Sequence, residues 1–307
     1  MKCILCGKET KMVLTLILRG GTEGKVEYCI DCDFGMLNKD VDEKSLKDFY
    51  KNEYRNNALY KESESPHEMF DIYSKFQKNR VDVLKPYINK DTRLLEVGCS
   101  VGMFLYHIRN YVKEVVGVDY DTKSACFAAK KCQCPVFDKD IKDLNLKKGS
   151  FDVVCAFQTL EHVADPVKFI KELASYLKKD GIIYIEVPNT HSILLELYAL
   201  PNYEIFHYHP AHLWYFSEIS LKKVMSKAGF KGEIKFIEGY NLFNHINWLN
   251  NDTPQKGCIA GKTFPPHIPL RKNSSISEFF ALMDEAYRHL LGTLKMTSDI
   301  HYIGKKR

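Results

Sequence analysis

Several things are scarce in this chain of 307 residues, and each scarcity removes a class of answer. No stretch approaches the roughly eighteen uninterrupted apolar residues of a membrane-spanning helix, so no membrane span is expected. The opening Met1-Lys2-Cys3-Ile4-Leu5-Cys6 lacks an apolar core of signal-peptide length, so a cytoplasmic location is the expectation. An excess of one charge is missing too. The net +5 is spread along the chain apart from Lys305-Lys306-Arg307, and it does not call for a nucleic-acid partner. No compositional bias points to collagen, disorder or a coiled coil, since 45% hydrophobic and 27% charged residues are ordinary for a globular protein. At about 150 residues per domain, the length suggests two domains.

Cysteine is what the chain has in plenty. Four of the ten form Cys3-x-x-Cys6 and Cys29-x-x-Cys32. Two residues between thiolates let both sulfurs of a tight turn face one tetrahedral ion. Between the pairs, Met12–Leu18 and Lys25–Tyr28 read as strands around Gly20-Gly21, hence a zinc ribbon over residues 1–40. With Cys3, Cys6, Cys29 and Cys32 all bound, Zn2+ would have no open position and would be structural. Residues 41–88 read as a tyrosine-containing connector and a helical lead-in. There Met69, Ile72, Phe76, Val81 and Leu84 fall at helical spacing.

From residue 89 strands and helices alternate. Arg93–Val97, Glu114–Asp119, Pro135–Phe137, Phe151–Phe157 and Ile182–Val187 read as strands, and Val167–Lys179 as a helix opened by Asp165-Pro166. Such alternation implies a doubly wound, mostly parallel sheet. Ligands of such sheets bind at the carboxyl ends of the strands. The turn Gly98-Cys99-Ser100-Val101-Gly102 lies at one such end and admits three chemistries. A nicotinamide site wants G-x-G-x-x-G, and that spacing fails here. A hydrolase elbow matches Gly98-x-Ser100-x-Gly102, but it needs earlier strands for its oxyanion hole, where this chain has the ribbon. The remaining chemistry is binding of S-adenosylmethionine (SAM). Glycines then let the backbone approach the methionine part, and Asp119 offers two acceptor oxygens to the ribose hydroxyls. Asp140 is placed for the adenine amine, with Tyr120 and Ile141 beside it, and Gln158 borders the sulfonium.

The run Leu94-Leu95-Glu96-Val97-Gly98-Cys99-Ser100-Val101-Gly102 resembles motif I of class I SAM-dependent methyltransferases. Gly117-Val118-Asp119, Phe151–Val154, Leu160–Pro166 and the stretch into Ile185–Asn189 are similar to that family's later motifs. The resemblance covers roughly 75–235 and departs at Ser100, where many members carry glycine. It implies a Rossmann-like sheet of seven strands over 89–307, SAM as cofactor with Glu96, Gly98, Cys99, Ser100 and Gly102 in its loop, and S-adenosylhomocysteine as product. The leading Cys-x-x-Cys pairs resemble the branch with an N-terminal zinc region, which includes sugar and surface-glycan methyltransferases.

An alcohol or carbon-acid acceptor needs a base, and histidine suits neutral pH. His207-Tyr208-His209-Pro210-Ala211-His212 precedes Leu213-Trp214-Tyr215-Phe216. In the zinc-containing sugar C-methyltransferases a Tyr-His-Glu-His stretch precedes a similar run, and His212 matches its final histidine. His209 stands where the tyrosine would be, and Pro210 and Ala211 replace His-Glu. His212 and His209 are therefore base candidates, with His162 a further one that is mainly structural. Asn189, Tyr208, Trp214, Asn244, His245 and Trp248 are candidates for an acceptor pocket in an extension over 190–274, whose prolines Pro254, Pro265, Pro266 and Pro269 suggest a lid.

The expected function is methyl transfer to a sugar hydroxyl, the sugar being free or nucleotide-linked, by a monomer or homodimer. C-methylation of a ketosugar, O-methylation of a small aromatic or quinone acceptor, and a zinc-ribbon adaptor binding RNA or protein are the alternatives.

Overall fold

Gly20 and Gly21, both at positive φ, reverse the chain between strand β1 (Met12–Leu18) and strand β2 (Thr22–Cys29), which pair antiparallel. Strand β3 (Phe34–Leu37) returns along β2 after the Cys29–Cys32 turn. The computed structural model describes residues 1–54, 65–253 and 274–307. Its second sheet is built from β4 (Arg93–Val97), β5 (Glu114–Val118), β6 (Val136–Phe137), β7 (Phe151–Phe157) and β8 (Leu177–Pro188), all parallel. A short strand β9 (Trp214–Phe216) lies outside this sheet, and β10 (Phe230–Ile237) and β11 (Asp299–Lys306) complete it. The order is β10-β11-β8-β7-β4-β5-β6, with β11 antiparallel to both neighbours. This is the doubly wound, mostly parallel seven-stranded sheet expected from the sequence. Its order turns back at β4, between β7 and β5, so the carboxyl ends of β4 and β7 open the crevice.

Local signals set most helix starts. The Asp165 carboxylate accepts from Lys168 N at 2.9 Å, and Pro166 opens the helix Pro166–Tyr176. That helix stops three residues before the expected Lys179. Leu177 pairs with Phe151, so the sheet claims residues that their local pattern gave to the helix. The lead-in is also broken. It forms helices Pro66–Tyr73 and Lys78–Leu84 with a 3-10 turn between them. Met69 and Phe70 pack on Val101 of the Gly98–Gly102 turn. The proline-bearing loop and Cys258 lie outside the described residues. The stretch from Tyr240 forms a helix, Leu242–Asn251, capped by Asn241. Ser217 and Ser220 cap each other at the start of Glu218–Lys227.

The ribbon sheet does not end at residue 40. Strand β9 joins β3, pairing Phe34 with Phe216 and Met36 with Trp214. Trp214 stacks on Phe34 with ring centroids 5.7 Å apart, and its indole N–H donates to Val163 O at 2.6 Å. Phe34, Met36 and Phe216 are fully buried in one core that reaches Val97, Val187 and Val224. Burial of each such side chain contributes about 1.5–3 kcal/mol. His191 adds a polar tie, with Nε2 2.9 Å from the Asp33 carboxylate and Nδ1 2.6 Å from Glu196. Among the described residues no helix is long and apolar enough to cross a membrane.

Candidate functional site

A cavity of about 800 Å3 lies over the carboxyl ends of β4, β5 and β7. Glu96, Gly98, Cys99, Ser100, Asp119, Tyr120, Asp140, Ile141 and Gln158 all line it. Glu96 is buried near the carboxyl end of β4, and its Oε2 has no hydrogen-bond partner. Burial raises its pKa well above the carboxylate range. Gly98 and Gly102 have φ of 79° and 77°, and the non-glycine Ser100 reaches 50°. A Cβ on Gly98 would stand 2.3 Å from Thr159 Oγ1, so the bare backbone is a steric necessity here. Gly102 stands behind the loop, where a Cβ would meet Cys132 Sγ at 2.7 Å. Gly98 N and Cys99 N both donate to Val118 O, which ties the loop to β5.

The Asp119 carboxylate is held by two backbone donors, Ser100 N at 2.7 Å and Asp121 N at 2.9 Å. Asp140 accepts from Lys142 N at 2.9 Å and from Tyr120 Oη at 3.3 Å, and is ion-paired with Lys47. Burial opposes its ionisation, but Lys47 and the Lys142 amide outweigh that and hold its pKa below the usual value. Lys47 belongs to the helix Glu43–Asn52, which covers this end of the cavity. At the opposite wall the Gln158 amide donates to Glu186 Oε1 at 3.0 Å and Asp299 Oδ1 at 2.9 Å. Arg80 makes a two-pronged pair with Glu186, at 2.8 and 2.5 Å. That pairing, with the Gln158 amide, overcomes the burial that opposes ionisation of Glu186 and keeps it an anion.

The other end of the cavity is lined by His162, His207, His209 and His212, with Tyr203, Phe206, Asn244 and Trp248. The His162 and His212 rings are 4.7 Å apart and the His209 and His212 rings 4.8 Å. His162 Nδ1 lies 2.9 Å from Ala211 O and 2.7 Å from Tyr50 Oη. Ala211 O can only accept, so His162 carries its proton on Nδ1. His209 Nδ1 instead accepts from Ala211 N at 3.1 Å, so the neutral ring carries its proton on Nε2. Burial pushes His162 down to about 4 and His209 to about 2. Burial, followed by His162 and His209, also holds His212 well below its usual value. All three rings are neutral near pH 7.

Asn244 Oδ1 is buried without a hydrogen-bond partner, and Trp248 packs edge-on against Tyr203 at 5.0 Å. The remaining acceptor candidates do not line the cavity. Asn189 donates to Lys295 O and Thr297 O and anchors β8 to the segment before β11. Tyr208 is buried against Tyr215, and Trp214 is occupied in the ribbon junction. His245 is buried against Tyr287, with Nδ1 2.7 Å from its hydroxyl. Lys47, Tyr50, Arg80 and Glu186 are cavity residues that sequence reasoning did not single out. Glu186 sits inside a quoted motif, while the others come from the connector and lead-in, where only helical spacing was visible.

The Sγ atoms of Cys3, Cys6, Cys29 and Cys32 lie within 4.8 Å of one another. Backbone bonds Gly7 N to Cys3 O (2.7 Å) and Cys32 N to Cys29 O (3.2 Å) close the two knuckles. Burial pushes the Cys3 thiol up to about 12, so a thiolate there calls for a bound cation. Four converging sulfurs suit tetrahedral zinc and leave no position for substrate.

A family described as "Methyltransferase domain" matches residues 66–233. A Mycobacterium tuberculosis protein named "Probable S-adenosylmethionine-dependent methyltransferase" is 33% identical over 97 residues, covering 31% of this chain and 35% of that protein. A ubiquinone biosynthesis O-methyltransferase of Pelagibacter ubique is 36% identical over 104 residues, 33% of this chain and 43% of the relative. The chain thus spans between a third and a half of the length of these curated relatives. A SAM-dependent methyltransferase from Archaeoglobus fulgidus superposes with a TM-score of 0.52 at 23% identity, covering 78% of this chain and 97% of that one. That likeness concerns the fold.

Proposed function

Because the chain belongs to the class I SAM-dependent methyltransferase family, we propose that it methylates a hydroxyl of a small polar acceptor, a sugar or sugar nucleotide. One observation carries this reading. A single cavity joins the Glu96–Gly102 loop and Asp119 to a wall of neutral histidines. The residues fit SAM. The unpartnered Glu96 oxygen suits a cationic methionine end, Gly98 leaves room for close approach, and Asp119 offers two acceptor oxygens to a ribose. Tyr120, Asp140 and Ile141 would hold the adenine end. When bound, SAM supplies an electrophilic methyl group on sulfur.

The chain's own work is alignment and proton removal. Alignment of acceptor oxygen and methyl is worth several kcal/mol. Proton removal by a side chain typically adds roughly 10²–10⁴-fold. His212 is assigned to the activation of the acceptor hydroxyl, being neutral and cavity-facing. His209, with its proton on Nε2, is assigned to donate to an acceptor oxygen, and His162 to hold the segment around Ala211. Asn244 Oδ1 would accept from a second hydroxyl, which supports a polyol. Zinc on the four cysteines would brace the ribbon behind β9.

A second reading is an aromatic or quinone hydroxyl. The similarity to a ubiquinone biosynthesis O-methyltransferase and the Tyr203, Phe206 and Trp248 lining favour it. The test is incubation with methyl-labelled SAM and panels of nucleotide sugars and catechols, followed by product NMR. An O-methyl sugar resonance supports the proposal, and label confined to catechols, or a C-methyl shift, contradicts it.

A further inference from the structure

We propose that Glu161, His162 and His212 form a second metal site, an open divalent-cation centre at the acceptor end of the cavity. The proposal rests on reading that cavity as the methyl-transfer site and says how its oxygen acceptor is activated.

Glu161 is fully buried, lines the cavity, and neither carboxylate oxygen has a hydrogen-bond partner. Burial raises the Glu161 pKa well above the usual carboxylate range, so the group ionises here only with a cation bound beside it. The turn that carries it is pinned at both ends. His162 N donates to Thr159 O at 3.1 Å, and Leu213 N donates to Glu161 O at 2.8 Å. His162 gives its Nδ1 proton to Ala211 O, which leaves the Nε2 lone pair 4.0 Å from Glu161 Oε1. Metal-bound histidines have this arrangement, one nitrogen on the ion and the other donating to a backbone carbonyl. His212 stands edge-on to His162 with centroids 4.7 Å apart. One ligand atom from each of the three lies within 4.8 Å of the others. Tetrahedral zinc ligands at about 2.1 Å stand about 3.4 Å apart, so binding draws the groups together by roughly an ångström.

Two imidazoles and one carboxylate leave a fourth position open, as in catalytic rather than structural zinc sites. All three residues line the cavity. An acceptor hydroxyl bound at the open position becomes more acidic and loses its proton to water. The oxygen then forms its bond to the methyl carbon as the carbon–sulfur bond breaks, its electron pair staying on sulfur. His212 in this arrangement acts through the cation instead of taking the proton itself.

The test counts metal. The chain is expressed with zinc, dialysed against zinc-containing and then metal-free buffer, and analysed by plasma mass spectrometry. Two zinc ions per chain are expected, one on the cysteines and one on this cluster. Glu161→Gln and His212→Asn should each hold one. Added Co2+ should refill the cluster in protein carrying one zinc without the thiolate-to-cobalt absorption of a cysteine site. One zinc in the unaltered chain, or two in either folded variant, overturns the proposal. Calorimetric SAM affinity in the same samples reports folding of the variants. It also separates the two readings, since absent SAM binding with two zinc ions refutes the methyltransferase reading and leaves the metal site standing.

Discussion

Asp119→Asn removes one charge and changes two hydrogen bonds at once. Each oxygen of the native carboxylate accepts from a backbone amide, Ser100 N at 2.7 Å and Asp121 N at 2.9 Å. Asparagine keeps a single carbonyl oxygen and turns an NH2 toward the other amide, donor against donor. That internal loss weakens the loop with or without ligand, and is expected to cost about 1–3 kcal/mol of stability. Contact with the ribose is a separate loss that appears only on binding. One charge-assisted hydrogen bond is worth about 1.5–3 kcal/mol, or roughly ten- to 150-fold in affinity. Calorimetric titration with SAM measures the second effect, and chemical denaturation of the free protein measures the first. Affinity within twofold of the unaltered protein would refute the ribose role of Asp119, whatever happened to stability.

Gly98→Ala should weaken SAM binding tenfold or more and destabilise the chain by about 1–2 kcal/mol from its left-handed φ alone. The Thr159 hydroxyl that blocks the new Cβ also donates to Phe157 O at 2.9 Å, so it cannot simply swing away. Normal affinity in that variant would count against the loop geometry. Cys29→Ser should lose the cysteine-bound zinc and shift tryptophan emission to the red, because Trp214 stacks on Phe34 of the ribbon sheet. Unchanged metal content and emission would separate the cysteines from the junction. His191 is raised to about 9, first by its bond to Asp33 and then by Glu196, against burial. A raised histidine stabilises fully below the unfolded value of about 6.5 and loses that contribution as pH climbs through 9. The Tm gap between the unaltered protein and His191→Gln should therefore shrink between pH 6.5 and 10, and a constant gap would contradict the ion pair.

What the sequence made legible was what neighbouring residues encode. Strand–helix alternation from Arg93 onward and the small residues from Gly98 to Gly102 are local patterns, and they foretold the parallel sheet and the turn at its switch point. Contacts between distant segments were not legible. Nothing around Trp214 announces that β9 will pair with β3 some 180 residues earlier, so an aromatic run next to histidines read as an acceptor pocket. Nothing in the local sequence sets Lys47 or Arg80 apart, and only the fold brings them to Asp140 and Glu186. His209 and His212 were legible as a pair. The opposite hydrogen-bonding roles of His162 and His209 depend on the backbone at Ala211, which no spacing rule describes.

The measurement closest to the central claim is a calorimetric titration of the zinc-replete chain with SAM, with ATP as a control ligand that shares the nucleoside but lacks the methionine part. One-site binding in the micromolar range, lost in Asp119→Asn and absent for ATP, is the expected result. No heat of binding at millimolar SAM, under conditions where the protein is folded, would contradict the assignment of the Glu96–Asp119 cavity to this cofactor.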